Sequence, residues 1–292
     1  MTIEQILDPV FDAGIALAIV ATVASLGLSL TITEVVAPLR RVGLVVGLIV
    51  VNVVLIPLVA WGSTVSFGLS DDAVSGVTLA AIGSAGAAGL KAAQLSRRAD
   101  LALAVSMVIV LQVLNLIAVP LWAGQVVAGA TISPVTILRD LIVLVLAPLL
   151  FGLFVRGRSE VVASRWRSIL VRIANLSLAI ALVAGIAVNR SSIVELAGSR
   201  VMLVSVVIVV FAVASGMLAG GRDAATRATT GLVSGMRFAA LGLVIIASHL
   251  HGRASVLGPA IVYALIDIVV AVVIALAMAR RATDATDVGS AT

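Results

Sequence analysis

The chain of 292 residues contains no cysteine, only two histidines and only 3% aromatic residues. Without cysteine it has no disulfide, no thiolate metal site and no cysteine nucleophile. Two histidines are too few for a histidine-rich metal site, and so few aromatic rings leave little surface on which nucleic-acid bases could stack. No HExxH run occurs in the sequence, and the one DxxD run, residues 284–287, lies in the polar stretch after the last apolar run. We therefore expect no catalytic residue, no metal site and no cofactor.

Charged residues are also scarce. They make up 11% of the chain, whereas 62% of the residues are hydrophobic and the mean hydropathy is +1.26. A soluble domain carries about 25% charged residues. The net charge is +5, but the basic residues are scattered between apolar segments and form no continuous patch of the kind that binds nucleic acid. The composition predicts a protein whose main partner is the lipid bilayer.

Apolar runs of about 20 residues, the length that crosses a bilayer core of about 30 Å, recur along the chain. They do not alternate as the strands of a membrane β-barrel do, so we predict an all-α polytopic membrane protein with about nine transmembrane helices. The predicted spans are 11–31, 43–61, 73–95, 100–124, 136–155, 168–188, 199–219, 224–249 and 255–279. They form a single transmembrane domain of residues 1–280, followed by a polar cytoplasmic tail of residues 281–292.

Arginine is distributed unequally between the two sets of loops, with 12 on one set and 4 on the other. The larger set is Arg40, Arg41, Arg97, Arg98, Arg156, Arg158, Arg165, Arg167, Arg222, Arg227, Arg280 and Arg281. The smaller set is Arg139, Arg190, Arg200 and Arg253. By the positive-inside rule, this predicts a multi-pass protein of the plasma (inner) membrane with its N-terminus outside and its C-terminus in the cytoplasm.

Two spans contain a glycine cluster close to a basic residue. Residues 83–91 read GSAGAAGLK and residues 231–238 read GLVSGMRF. Each glycine weakens a helix by about 1 kcal/mol relative to alanine, so we predict that spans 3 and 8 are discontinuous. The predicted helix-breaking glycines are Gly83, Gly86, Gly89, Gly231 and Gly235. Because the two weak segments lie five spans apart, spans 1–4 and 6–9 are predicted to form an inverted repeat with the binding site at the breaks.

Three ionisable residues, Lys91, Arg237 and Asp267, fall deep within predicted spans. A charge at such depth costs at least about 2.5–3.5 kcal/mol. Two interpretations remain open. In the first, Lys91 extends toward the interface and Arg237 forms a structural salt bridge with Asp267. In the second, Lys91 and Arg237 face one cavity and bind an anion, because a guanidinium donates two parallel hydrogen bonds to a carboxylate. Asp267 then balances charge, orients Arg237 or carries a proton.

Neutral polar residues accompany these charges. Ser84 and Ser234 lie at the two predicted breaks, and Asn52 lies within apolar span 2. Interhelical hydrogen bonds are the simpler explanation for any one of them. Unwound backbone in a membrane nevertheless needs polar partners, and we predict that these three residues join Lys91 and Arg237 in the substrate site.

These motifs resemble the bile acid:sodium symporter family and its bacterial homologues. Residues 26–30 (LGLSL) are similar to the family's G-L-T-L segment, and residues 52–57 (NVVLIP) to its helix with a polar residue five positions before proline. Residues 86–91 (GAAGLK) fall where the family has G-G-T-A-S-N, and residues 233–238 (VSGMRF) fall on its E-V-G-M-Q-N motif. The resemblance covers nearly the whole chain, in a nine-helix form.

The resemblance implies a panel domain and a core domain, with discontinuous spans 3 and 8 crossing at mid-membrane in the core. The panel spans are 11–31, 136–155 and 168–188. The core spans are 43–61, 73–95, 100–124, 199–219, 224–249 and 255–279. Family members are secondary transporters of organic anions that are coupled to two sodium ions.

The chain departs from the family at the residues that bind sodium. The family's Ser-Asn pair aligns with Leu90 and Lys91, its Glu with Val233, its Gln with Arg237, and its last-helix Asn with Asp267. Sodium needs oxygen ligands, and the side chains of leucine, lysine, valine and arginine supply none. We therefore expect both sodium sites to be lost. Two sodium ions and one glutamate carry the same net charge of +1 as two basic residues and one aspartate, so fixed side-chain cations are expected to replace the ions.

The sequence thus predicts a secondary active or facilitative transporter of small organic anions, most simply carboxylates, that does not use sodium. Protons are a candidate coupling ion. Two alternatives remain. One is a conventional sodium-coupled symporter of organic anions or bile acids, and the other, of a different class, is a membrane sensor or scaffold that does not transport. The substrate, the direction of transport and the oligomeric state are left open.

Overall fold

A computed structural model describes residues 3–96, 99–127, 133–250 and 254–289. Within these residues the chain is helical and contains no strand. The helices are α1 Ile3–Gly27, α2 Ile32–Val36, α3 Val42–Ile49, α4 Ile56–Ser66, α5 Asp71–Ile82, α6 Ala87–Ser96, α7 Leu101–Val126, α8 Pro134–Leu141, α9 Ala147–Arg158, α10 Glu160–Val188, α11 Arg190–Leu196, α12 Arg200–Ala219, α13 Ala224–Gly235, α14 Ala239–His249 and α15 Ala254–Gly289. Of the predicted arginine pattern, Arg97, Arg98 and Arg253 lie outside the described residues, as do residues 290–292 of the tail.

Eight helical segments of the described chain are long and apolar enough to cross a membrane. They are Leu7–Gly27, Val42–Ser66, Leu101–Val126, Pro134–Arg158, Glu160–Val188, Arg200–Ala219, Ala224–His249 and Ser255–Ala279. The predicted polytopic, all-α membrane fold is confirmed. Predicted span 73–95 is divided into α5 and α6, which are both too short to cross alone. The count of nine spans stays a prediction.

A proline in the second span changes the hydrogen bonding of the preceding turn. Residues Val50–Leu55 form a π-helical turn, in which the N–H of Ile56 donates to the carbonyl of Val51. In that register the next N–H would donate to the carbonyl of Asn52, but residue 57 is proline and has no N–H. In an ordinary α-helix the N–H of residue 57 would donate to the carbonyl of Val53. Proline cannot do so, and this carbonyl instead accepts from the indole N–H of Trp122 at 2.7 Å. The carbonyl of Asn52 is left for other donors.

Two helices are interrupted, and the interruptions contact each other. Residues 83–86 separate α5 from α6, and residues 236–238 separate α13 from α14. The N–H of Gly86 donates to the carbonyl of Met236 at 3.0 Å, and the N–H of Phe238 donates to the carbonyl of Gly83 at 2.9 Å. Backbone groups freed by each interruption therefore find partners in the other, as an apolar environment requires.

Five glycines were predicted to break these helices, and the structure separates them into two groups. Gly83 and Gly86 lie in the first interruption, whereas Gly89 lies within α6, Gly231 lies within α13, and Gly235 is the last residue of α13. The prediction was therefore wrong for Gly89 and Gly231. A Cβ at Gly89 would lie 3.2 Å from the carbonyl oxygen of Leu232, and one at Gly231 would lie 2.4 Å from Met217 Cγ. These two glycines allow close helix packing, as small residues do in membranes.

Alanine at Gly83 should destabilise the protein by about 1–3 kcal/mol, the usual cost of overpacking. The new Cβ would lie 2.6 Å from the carbonyl oxygen of Phe238, at the contact between the two interruptions. Thermal unfolding of the purified protein in detergent measures the effect. Gly62→Ala in α4 is the matched control, because nothing lies within 4 Å of its Cβ, and helix propensity predicts a gain of about 0.5–1 kcal/mol there. Equal melting of the two variants would contradict the prediction.

Several helix pairs form the main packing contacts of the fold. Helix α1 packs against α10 and α9, α12 packs against α13, and α5 packs against α15. The contact of α1 with α9 is unusually close, because a Cβ at Gly27 would lie 2.4 Å from the carbonyl oxygen of Leu149, and one at Gly152 would lie 2.5 Å from that of Ala24. The division into panel and core domains stays a prediction.

Candidate functional site

A cavity of about 180 Å³ lies beside the second interruption, between α1, α6, α10 and α15. Its charged lining residues are Lys91, Arg167, Arg237 and Asp267. Its neutral polar lining residues are Thr22, Ser25, Ser29, Gln94 and Asn175. The structure thus places Lys91, Arg237 and Asp267 around one space, although they are distant in sequence.

Lys91 lies in the second turn of α6, and its side chain is exposed to the cavity. Its ammonium donates a hydrogen bond to the side-chain carbonyl of Asn175 on α10. One acceptor uses only one of the three N–H groups of an ammonium. Lys91 therefore keeps donors for a ligand, and it crosses the cavity to α10 rather than pointing into lipid.

Arg237 is buried, with 3% of its surface exposed, and its guanidinium is surrounded by oxygen atoms. Nε donates to the carbonyl of Ala81 at 2.7 Å. One terminal nitrogen donates to the side-chain oxygen of Asn52 at 2.8 Å, and the other donates to the backbone carbonyls of Asn52 and Ile82, each at 3.1 Å. All four acceptors are uncharged, so the guanidinium is held by oxygen dipoles rather than by a carboxylate.

The sequence explains why these carbonyls are available. Ala81 and Ile82 end α5, and the last carbonyls of a helix have no partner within the helix. The carbonyl of Asn52 is freed by the π turn and Pro57. The guanidinium therefore caps the C-terminal end of α5, where the helix dipole favours a cation. Sequence reasoning missed these partners, because backbone acceptors are not visible as residue types.

Asp267 on α15 is almost fully buried and receives the backbone N–H of Arg237, at 3.2 Å and 3.4 Å from its two oxygens. Among the residues that the structure describes, no side-chain ion pair joins Asp267 to Arg237, so the salt bridge that the sequence allowed is not formed. The carboxylate instead lies just before α14, whose positive N-terminal end favours an anion. A cation thus lies at the C-terminal end of α5, beside the first interruption, and an anion lies at the N-terminal end of α14, beside the second.

The other three predicted substrate ligands are not in the cavity lining. Asn52 donates to the hydroxyl of Ser234 at 2.8 Å, and Ser84 donates to the backbone carbonyl of Asn52 at 3.3 Å. All three side chains are fully buried. Their polar groups satisfy each other and hold the interruptions, so the prediction that they contact substrate is corrected to a structural role.

Two amides of α7 support the first interruption. Asn115 receives the N–H of Ser84 at 2.9 Å and donates to the carbonyl of the same residue at 3.0 Å. Gln112 donates to the carbonyl of Ala85 at 3.1 Å. Ala85 has a φ of +46°, in the left-handed region that residues with a Cβ rarely occupy. These hydrogen bonds fix an otherwise unfavourable backbone conformation at the point where the two interruptions meet.

Side chains suited to a metal ion do not cluster in the described part of the chain, where no group of three or more His, Cys, Asp or Glu residues could hold one. At the oxygen-rich position beside α5, the cation present is the guanidinium of Arg237.

Comparison with protein families gives one match. Residues 16–196, more than half of the chain, match the model of the Sodium Bile acid symporter family. A search of curated proteins gave no match. The matched region contains α5 and α6 with Lys91, and it ends before the second interrupted helix.

Proposed function

This chain belongs to the sodium bile acid symporter family, a family of membrane transporters, and we propose that it transports small organic anions without sodium. In this proposal Arg237 takes the place of a sodium ion and Lys91 binds the anionic group of the substrate. Asp267 balances the charge of Arg237 and is the candidate proton carrier.

The observation that carries the proposal is the oxygen shell of Arg237. Two helix-end carbonyls, one carbonyl freed by Pro57 and one amide oxygen converge on the guanidinium. Neutral oxygen atoms in such numbers form the kind of environment that coordinates a hard cation. A guanidinium that uses these oxygens excludes a mobile ion from the same place. It also has few donors left, which favours a charge-compensating role over direct substrate binding.

Lys91 is the better candidate for the substrate ligand. It is exposed to the cavity, and within the described residues its ammonium donates only to the neutral side chain of Asn175. With Arg167 and Arg237 also in the lining and Asp267 as the one carboxylate, the cavity carries an excess of positive charge. Such a cavity attracts anions and repels cations.

The chemistry of the cavity lining favours a carboxylate. Lys91 keeps N–H donors for an anion, and the lining carries an excess of positive charge. We therefore propose a small carboxylate as the substrate class.

For the transport cycle we propose that the chain divides into a panel and a core. The panel comprises α1, α8–α9 and α10, and the core contains both interrupted helices. Helices of both proposed groups line the cavity, α1 and α10 from the panel and α6 and α15 from the core. Movement of the core against the panel would expose the cavity to alternate sides. We further propose the plasma membrane as the location, with the N-terminus outside and the C-terminus in the cytoplasm.

The proposal predicts carboxylate uptake into proteoliposomes when every sodium salt is replaced by a potassium or choline salt. A panel of labelled short mono- and dicarboxylates would identify the substrate, with empty liposomes as the control. Uptake that requires sodium would overturn the proposal in favour of a sodium symporter. Carboxylate binding without flux would favour the sensor or scaffold.

The same vesicles test the role of Asp267. An imposed pH gradient should drive accumulation if this carboxylate carries a proton through the cycle. Asp267→Asn should then remove the gradient-driven component while equilibrium exchange of the substrate remains, because the amide oxygen still accepts the N–H of Arg237. Unchanged gradient-driven accumulation in this variant would exclude Asp267 as the carrier.

A further inference from the structure

A second pocket lies where α9 turns into α10, at the end of the molecule that the arginine pattern assigns to the cytoplasm. Its volume is about 540 Å³. Its lining comprises Leu28, Ser29, Arg156, Glu160, Ser164, Arg167, Ser168, Val171 and Arg172. Three of these residues are arginines and one is a glutamate, and Arg156 and Arg172 lie outside the central cavity.

The only carboxylate in the lining is already engaged. Glu160 pairs with Arg156 at 2.8 Å and is itself 77% exposed, whereas the Arg156 side chain is only 15% exposed. Nε of Arg156 is buried and has no hydrogen-bond partner in the described structure. Arg167 and Arg172 have no carboxylate partner within the described residues.

A further carboxylate near Arg156 is also occupied. Glu34 accepts hydrogen bonds from the backbone and side chain of Thr31, which lower the pKa of Glu34, and the charge of Arg156 adds a smaller effect in the same direction. Glu34 is not part of the pocket lining. Two guanidinium groups without a carboxylate partner, those of Arg167 and Arg172, therefore line a space that is large enough for a ligand.

We propose that this pocket is an oxyanion-binding site, in which Arg167 and Arg172 bind a carboxylate or phosphate group beside Arg156. A guanidinium presents parallel N–H donors that match the oxygen atoms of such a group. The inference does not rest on the proposed transport function, because Arg156, Glu160 and Arg172 line this pocket and not the central cavity. Arg167 also lines the central cavity, so the two spaces are neighbours.

Two sources could supply the oxyanion: a soluble anion, or the headgroup of an anionic phospholipid. The outer surface of the same helices is aromatic. Phe151 and Trp166 are exposed and pack together with ring centroids 6.2 Å apart, and Arg158 lies 4.9 Å from the ring centre of Phe154. Aromatic and basic residues of this kind mark the level of lipid headgroups. Both sources are therefore tested.

The test compares wild type with Arg167→Gln/Arg172→Gln and with Arg165→Gln. Arg165 is an exposed arginine of the same helix and lines neither pocket, so it controls for loss of charge alone.

In the soluble arm, the melting temperature in uncharged detergent is measured while potassium phosphate is added, and potassium chloride of equal ionic strength is the reference. In the lipid arm, native mass spectrometry counts the phosphatidylglycerol retained from nanodiscs of mixed phosphatidylcholine and phosphatidylglycerol.

We expect wild type and Arg165→Gln to respond alike, and the double variant to bind at least about tenfold more weakly, since each charge-assisted hydrogen bond contributes roughly that factor. A difference in the phosphate arm identifies a soluble anion, and a difference in the lipid arm identifies a headgroup. Equal behaviour of all three proteins in both arms overturns the proposal, as does an equal loss in Arg165→Gln. If the double variant does not fold, the exposed Arg172→Gln alone is compared in its place.

Discussion

Replacing Arg237 with glutamine should lower the free energy of unfolding by about 3–5 kcal/mol and abolish transport. The guanidinium donates to the carbonyls of Ala81 and Ile82 and to the side-chain oxygen of Asn52, and it shares the backbone carbonyl of Asn52 with the hydroxyl of Ser84. Each buried acceptor left without a donor costs about 1–3 kcal/mol, and the shorter glutamine cannot reach them all. Melting in detergent measures the stability, and proteoliposome uptake measures the activity.

Two controls separate the charge from its geometry. Arg237→Lys keeps the positive charge but has no planar fork, so we expect a smaller loss of stability than with glutamine. Arg165→Gln removes an exposed arginine and should change stability by less than about 0.5 kcal/mol. A glutamine variant as stable as wild type would show that the oxygen shell does not need the guanidinium, and the fixed-cation proposal would fail with it.

Replacing Lys91 with glutamine should reduce carboxylate transport about 10- to 100-fold while leaving the fold intact. The predicted loss corresponds to one charge-assisted hydrogen bond of roughly 1.5–3 kcal/mol. The side chain is exposed to the cavity, and its hydrogen bond to Asn175 is between exposed groups, so stability should change little. The measurement is kcat/KM for uptake, together with the rise in melting temperature that the carboxylate produces in wild type.

Gln94→Ala is the matched control for Lys91. It removes a neutral side chain from the same helix and the same cavity lining, so its transport should stay within about threefold of wild type, the effect of a weak hydrogen bond. Lys91→Arg should retain most of the activity. If Lys91→Gln transports as well as wild type, the anion is held elsewhere in the cavity, and Arg167 becomes the residue to replace.

The fold could be predicted further than the site. Long apolar runs identified the membrane segments, since length and hydrophobicity are properties of the residues themselves. The glycines were ambiguous, because the same lack of a Cβ serves both to interrupt a helix and to bring two helices together. Gly83 lies in an interruption and also allows a close contact with Phe238, whereas Gly231 lies within a helix and allows close packing only. The sequence alone does not distinguish these cases, because the neighbouring segment decides them.

The polar residues show a second limit. A serine or asparagine in a membrane needs a hydrogen-bond partner, but the neighbouring residues in the sequence do not identify it. Asn52 and Ser234, 182 positions apart, satisfy each other, so they are withdrawn from the substrate site. The acceptors of Arg237 are mainly backbone carbonyls, and one of them is free because of a π turn before Pro57. A residue pattern does not predict which backbone carbonyl each N–H of a helix will bond.

The covalent attachment of the Arg237 guanidinium has an electrical consequence. A cation that is part of the chain returns with it after each cycle, so the net charge moved is that of the substrate and any proton that accompanies it. Moving one elementary charge through 100 mV corresponds to about 2.3 kcal/mol, or on the order of a 50-fold concentration ratio. An inside-negative potential would thus drive a lone monoanion outward, whereas a monoanion with one proton would move without electrical work.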